Sequence, residues 1–190
     1  MNAQIKDKGL VQVRVSGSAG QGSILCGVML AQAAASAGRE VAQSARYGAA
    51  VRSGSATANV VISKDPIDYP HVEDPDILIL MSQTVYDDFE PEMTESTVVI
   101  YDPFFVVPRD KPGVEQYGIG ATQGAIEAFG KTQGANVIAL GALSELTGVI
   151  TLENLKHEIE TGPTKRFKDS NLKAMNIGVE LAVAAKEGQG

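Results

Sequence analysis

Thiols are almost absent from this chain, in which Cys26 is the single cysteine among 190 residues. One thiol forms no internal disulfide and cannot supply the several thiolates an iron–sulfur cluster requires, so any redox cluster has to sit on another chain. Histidine is nearly as scarce. His71 follows Pro70 in a loop and His157 falls on a polar stretch read as a helix, with no cysteine or carboxylate at ligand spacing around either, so they suggest no metal site. Long apolar runs are missing as well: none approaches the roughly 20 residues needed to cross a bilayer. The start, Met1 to Gly9, is polar and mixed in charge, without the apolar stretch and cleavage site of a secretory signal. A cytoplasmic protein with no membrane association is the expectation. Positive charge is also in short supply, with 16 Lys and Arg against 23 Asp and Glu and a formal net charge of -7. Such a chain repels a phosphate backbone, which argues against nucleic acid as a partner.

What is present is ordinary for a globular protein: 44% hydrophobic and 21% charged residues, in a length that suits one domain over residues 1–190. Leu10 to Val15 reads as a strand, followed by the glycine-rich turn Gly17 to Gly22 and an alanine-rich helical pattern from Ser23 to Ala37 that Gly38 stops. Glu40 to Gln43 is a short strand candidate and Ala56 to Ser63 a stronger one, with Ser44 to Ser55 read as a loop between them. Ile77 to Met81 and Thr97 to Tyr101 are continuous apolar runs of the kind buried on both faces of a parallel sheet. Thr84 to Phe89 suits a short helix, and Phe104 to Pro112 an irregular segment. Beyond Gly120 the pattern turns helical: Thr122 to Phe129, Asn136 to Leu146, Leu152 to Glu160 and Asn171 to Ala185. The expected fold class is α/β, a mainly parallel, Rossmann-like open sheet sandwiched by helices, with a helical C-terminal third.

A glycine turn between a first strand and a first helix points backbone N–H groups at the positive end of the helix dipole, a common anion site. The spacing of Gly17, Gly20 and Gly22 is G-x-x-G-x-G, not the dinucleotide G-x-G-x-x-G, and Gln43 and Ser44 stand where a ribose-binding acid is expected. Ser23 and Ile24 occupy the positions where a Walker A loop needs Lys and Ser or Thr, which also argues against nucleotide hydrolysis. The plainer reading is a sharp turn that lets a helix pack close to the sheet. Gln21, at the mouth of the turn, offers an amide to a ligand or partner chain. A second loop, Gln43 to Ser55, carries Arg46, Tyr47, Gly48, Arg52 and Gly54 in an otherwise acidic chain, and the guanidinium fork of Arg suits phosphate or carboxylate. Both loops follow early strands at carboxyl ends, where an open sheet places its ligand crevice.

GSAGQG after the first strand, then SARYGAAVRSGSATANVVIS, PDILILMSQTVYDDF and NVIALGALSELTG with a trailing NLKAMNIG resemble, in order, the gamma subunit or gamma domain of 2-oxoacid:ferredoxin oxidoreductases, from about Val11 to Gly178. Ala19 and Ser53 stand where that family more often has glycine. The resemblance implies an α/β domain that joins larger alpha and beta subunits carrying thiamine diphosphate, Mg and iron–sulfur clusters. A small ferredoxin-like subunit is a further candidate partner. The whole assembly decarboxylates a 2-oxoacid oxidatively, captures the acyl group on coenzyme A and passes electrons to ferredoxin. The gamma chain holds no cofactor alone and serves assembly and the coenzyme A side of the active site, so Gly17, Gly20, Gln21, Gly22, Tyr47, Gly48, Arg52 and Gly54 become candidate contacts, with no catalytic residue among them. TANVVIS and NVIALGAL look more like the 2-oxoglutarate branch. An indolepyruvate or pyruvate-type subunit, or a non-catalytic small-molecule-binding or adaptor domain, is the alternative.

Other residues invite blander readings. Cys26 lies between Ile24 and Val28 on the first helix and suits a small buried hydrophobe. Asp87, Asp88, Glu90 and Glu92 read as a solvated acidic stretch. Lys165, Arg166 and Lys168 form a basic cluster able to dock an acidic partner, and NVIALGALSELTG, apolar nearly all round, points to burial in the core or against a subunit.

Overall fold

The computed structural model describes residues 5, 8–48 and 54–188. β1 (Leu10–Ser18) lies inside a six-stranded sheet ordered β2, β3, β1, β4, β5, β6. Its neighbours are β3 (Ser55–Ser63), antiparallel, and β4 (Ile77–Leu80), parallel. β5 (Val98–Tyr101) and β6 (Glu115–Gly118) continue in parallel, while β2 (Glu40–Tyr47) is an edge strand antiparallel to β3. Only β3 therefore runs against the other strands, and the chain leaves β1, β2, β4, β5 and β6 at the same end of the sheet.

β4 explains how the layers form. In ILIL the side chains alternate between faces. Ile77 and Ile79 enter the main core with β1, β3 and the helices, whereas Leu78 and Leu80 enter a smaller one with Val85, Tyr86 and Met93. The main core is covered by α1 (Ser23–Ser36), α4 (Ala135–Thr147), α5 (Leu152–Thr161) and α6 (Lys168–Glu187), with α3 (Ala121–Phe129) beside α4. The smaller is covered by α2 (Gln83–Phe89), a 3-10 turn at Glu90–Glu92 and the strap that follows β5. α4 is the NVIALGAL segment, and nearly every one of its residues is buried, so core packing is the correct reading of its apolar surface. It crosses α6 backbone to backbone: a Cβ on Gly141 would strike the carbonyl of Met175, and one on Gly178 that of Ile138.

Two expectations need correction. The second strand does not stop at Gln43; Ser44 to Tyr47 continue it in register with Asn59 to Ala56, so the expected loop from Ser44 is the outer arm of a hairpin. An edge strand exposed on one side and one edge needs few apolar residues, which hid it. β6, EQYG, was expected as no element at all; its half-buried residues carry no apolar alternation, and pairing with β5 alone defines it.

Polar groups tie the loops to this frame. Arg14, buried on β1, donates to Asn59 Oδ1 at 2.9 Å and to the Val72 carbonyl at 3.0 Å, pairs with Glu92, and stacks on the Phe89 ring at 4.7 Å. Asp102, buried at the end of β5, accepts from Phe104 N at 3.0 Å and from Thr122 N at 2.9 Å, so one carboxylate fixes both the strap and the first turn of α3.

Candidate functional site

The two loops singled out in the sequence meet at the carboxyl end of the sheet. The turn after β1 is closed by Gln21 N donating to Ser18 O at 3.1 Å, and Ala19 N donates to Gly54 O at 2.6 Å across the base of the hairpin. Gly20 and Gly22 have φ of 94° and 80°, the left-handed region that glycine enters without penalty. Among the described residues no residue other than glycine has positive φ, so Ala19 stands where no left-handed geometry is needed and the loss of a glycine there is harmless. Gly22 caps α1, which has no side-chain cap and no acidic residue in its first turn, leaving the helix's positive end unneutralised.

Gln21 lines the cleft beside the loop, and both ends of its amide have partners within the chain. Its Oε1 accepts from Ser18 N and its Nε2 donates to Met81 O, each at 2.6 Å, so the side chain bridges the ends of β1 and β4. Gly17 makes room for it: a Cβ at Gly17 would lie 2.6 Å from Gln21 Oε1, 2.9 Å from Ser23 Oγ and 3.1 Å from Met81 Cβ. On the hairpin, Tyr47 is 71% exposed, Gly48 N donates to Ser55 O at 2.8 Å, and a Cβ on Gly48 would sit 2.5 Å from Ser55 Oγ. Gly54, φ 32°, presents the carbonyl that receives Ala19 N. Arg52 lies outside the described residues, as does Ser53.

On the other side of the glycine loop a cleft of about 630 Å³ opens between Gly20–Gly22 and the starts of α4 and α6. Its lining includes Lys131, Asn136 and Thr164, none of them singled out as a contact from the sequence, and Arg166, named there only as part of a basic cluster able to dock an acidic partner. The signals were present but local: Gly134 ahead of α4 and the basic cluster ahead of α6. Asn136 packs on Gly22, where a Cβ would come within 3.0 Å of Nδ2, and its carbonyl accepts from Cys26 Sγ at 3.6 Å.

The one thiol and the acidic stretch singled out in the sequence are both engaged elsewhere. Cys26 is fully buried, and desolvation pushes its thiol up to about 12, the buried-hydrophobe reading. Arg109 pairs with both Asp87 and Glu90, and Glu92 is held by Arg14. No group of three or more metal-binding side chains occurs among the described residues, and no described helix is long and apolar enough to cross a membrane.

Residues 12–181 match the profile of the family described as pyruvate ferredoxin/flavodoxin oxidoreductase. The chain is 38% identical to the 2-oxoglutarate synthase subunit KorC of Methanocaldococcus jannaschii, over 90% of this chain and 93% of that one. Among solved structures it resembles the gamma subunit of a keto/oxoacid ferredoxin oxidoreductase from Geobacter sulfurreducens, with a TM-score of 0.80 and 30% identity over 92% of this chain and 99% of that one. It also resembles the 2-oxoglutarate:ferredoxin oxidoreductase of Magnetococcus marinus, solved with 2-oxoglutarate, coenzyme A and succinyl-CoA bound, with a TM-score of 0.83 and 28% identity. That likeness covers 94% of this chain but 32% of the longer one.

Proposed function

Since this chain belongs to the pyruvate ferredoxin/flavodoxin oxidoreductase family, we propose that it is the gamma subunit of a coenzyme A-dependent 2-oxoglutarate:ferredoxin oxidoreductase, inactive alone. The observation that carries this is the end-to-end match to KorC, joined to a chain whose single thiol is sealed in the core. Such a chain neither ligates a cluster nor offers a nucleophile. Thiamine diphosphate, Mg and the clusters then belong to the larger alpha and beta subunits, with a ferredoxin-like subunit and ferredoxin itself taking the electrons, in the cytoplasm.

In this reading residues 1–190 act as one gamma-type domain. The uncapped start of α1, the left-handed Gly20 and Gly22, and the hairpin with Tyr47, Gly48, Arg52 and Gly54 face coenzyme A or the large subunits, while Gly17 and Gln21 shape the loop. The residues fit a phosphorylated coenzyme: backbone N–H groups at a helix start and Arg side chains are anion donors. The test is reconstitution. Cognate large subunits mixed with this chain should reduce ferredoxin or a viologen dye with 2-oxoglutarate and coenzyme A. Full activity of those subunits without it would overturn the proposal.

A further inference from the structure

We infer that the outer edge of β2 pairs with β2 of a second copy of this chain, antiparallel about a two-fold axis at Gln43, so that two sheets become one. β2 ends the sheet, and no described strand lies beyond it. Exposed edges are usually blunted by shortness, lysine, proline or a bulge. The opposite edge follows that rule, since β6 has four residues. β2 does not. It runs eight residues, EVAQSARY, without proline or lysine, in unbroken register from Glu40 opposite Ser63 to Tyr47 opposite Ala56. Gln43, Ala45, Arg46 and Tyr47 on it are exposed. An edge of this length with small residues at its middle is a template for another strand.

The ladder to β3 fixes which backbone groups are available. Gly48 N donates to Ser55 O at 2.8 Å. Hydrogen-bonded and non-hydrogen-bonded pairs alternate in an antiparallel ladder, so the even-numbered residues of β2 turn their N–H and C=O groups to β3 and the odd-numbered ones turn theirs outward. A second strand therefore has to meet Val41, Gln43, Ala45 and Tyr47 with outward groups of its own. Two copies of β2 satisfy this about Gln43, where Gln43 faces Gln43 and Val41 faces Ala45, each such pair exchanging two bonds. The same register sets Glu40 of each copy opposite Arg46 of the other, in the non-hydrogen-bonded pairs where side chains come closest. Neither residue forms an ion pair with a described residue of its own chain. Moving the axis to Ala42 or Ser44 keeps the backbone condition but puts Arg46 opposite Gly38 or Ala42 and loses the ion pairs, so charge selects Gln43. Arg39, just before β2, then comes opposite Tyr47, which is 71% exposed, a match of guanidinium to aromatic face.

The inference does not rest on the coenzyme reading: reconstituted activity tests that one and self-association of the chain tests this one, so each can fail alone. Sedimentation velocity of the full-length chain should show a monomer–dimer equilibrium with a midpoint on the order of 10–100 μM, as suits an interface at the small end of the range. Gln43→Pro removes the N–H at the axis, one that β3 does not use, and an edge strand tolerates proline at such a position. The variant should melt near the native chain and stay monomeric. Glu40→Arg or Arg46→Glu alone sets like charges opposite each other twice per dimer and should weaken association at least tenfold or so, about the cost of two repelling cross-strand pairs. The two reversals together restore opposite pairs and should return association to within about threefold of native. A monomer at every concentration up to about 1 mM, a dimer unchanged by Gln43→Pro, or no recovery in the double reversal would overturn the inference. A chain that stays monomeric while Gln43→Pro blocks its assembly with the large subunits assigns the edge to a strand of another protein, and overturns it equally.

Discussion

Replacing Gln21 with Ala should destabilise the isolated chain, because its amide is a strut between two strands. Two bonds of 2.6 Å disappear, leaving Ser18 N and Met81 O without their partner. At roughly 0.5–1.5 kcal/mol net per bond the loss is about 2 kcal/mol, which for a domain of this size lowers the melting midpoint by about 4–8 °C. Gly17→Ala reaches the same bonds from the other side, since its Cβ would sit 2.6 Å from Gln21 Oε1 and push the amide away. The two changes remove one shared interaction, so the double variant should be more stable than the sum of the singles predicts, by about 1–2 kcal/mol. Gly20→Ala is the control: its Cβ points into open space, so only the left-handed backbone resists it, at about 1–2 kcal/mol. Urea denaturation followed by far-UV circular dichroism measures all four, as the chain has no tryptophan. Additivity of Gly17→Ala and Gln21→Ala within about 0.5 kcal/mol, or an unshifted midpoint for Gln21→Ala, would refute the strut.

Three further outcomes are expected. Cys26, raised from 9.0 to about 12 by burial, favours the folded state fully below about pH 9 and loses that contribution as pH climbs toward 12; a thiol reagent near neutral pH should label it in urea and not in the native chain. Glu158, raised above 4.5 by burial with His157 opposing, stabilises the fold in acid and stops doing so as pH rises through its folded value. Glu158→Gln should therefore gain on the native chain between urea midpoints taken at about pH 4 and about pH 7. In the reconstituted complex, Arg52→Ala should raise the KM for coenzyme A about ten- to a hundredfold, the equivalent of 1.5–3 kcal/mol for a bond to a charged group, with assembly checked by size exclusion; an unchanged KM returns Arg52 to solvent.

Segments whose burial is complete were the legible ones. ILIL carries its apolar residues without a break because both faces of β4 are covered, and α4 is apolar all round because α1, α3, α5 and α6 all press on it. Segments held by backbone pairing alone left no trace in the pattern. β6 and the outer half of β2 are polar or half-exposed, and only their partners, Val98 to Tyr101 and Ala56 to Asn59, make them strands. Gly20, Gly22 and Gly54 were legible because left-handed backbone selects for glycine, and Gly17 and Gly48 because side chains crowd their Cβ positions. The direction of Gln21 was not, since it depends on Met81, 60 residues further along the chain. The cleft was hidden for the same reason: Gly22, Asn136 and Thr164 meet only after α4 and α6 have packed.

The reversal of a single strand has a chemical consequence for the whole molecule. With β3 alone running backwards, the exits of five strands gather at one end of the sheet, and helices leaving that end begin there. Each such start adds a partial positive charge, so the fold itself concentrates positive potential at one pole of a chain with seven more acids than bases. The one thiol lies away from that pole's surface, buried in the core. A pole that attracts anions and presents exposed Tyr47, Phe104, Phe105 and Phe167 is equipped to hold and to be held. The proposed role matches that chemistry: among the described residues there is no cluster of metal-binding side chains and the one thiol is buried, while helix starts and exposed aromatics suit an anionic coenzyme and a partner surface.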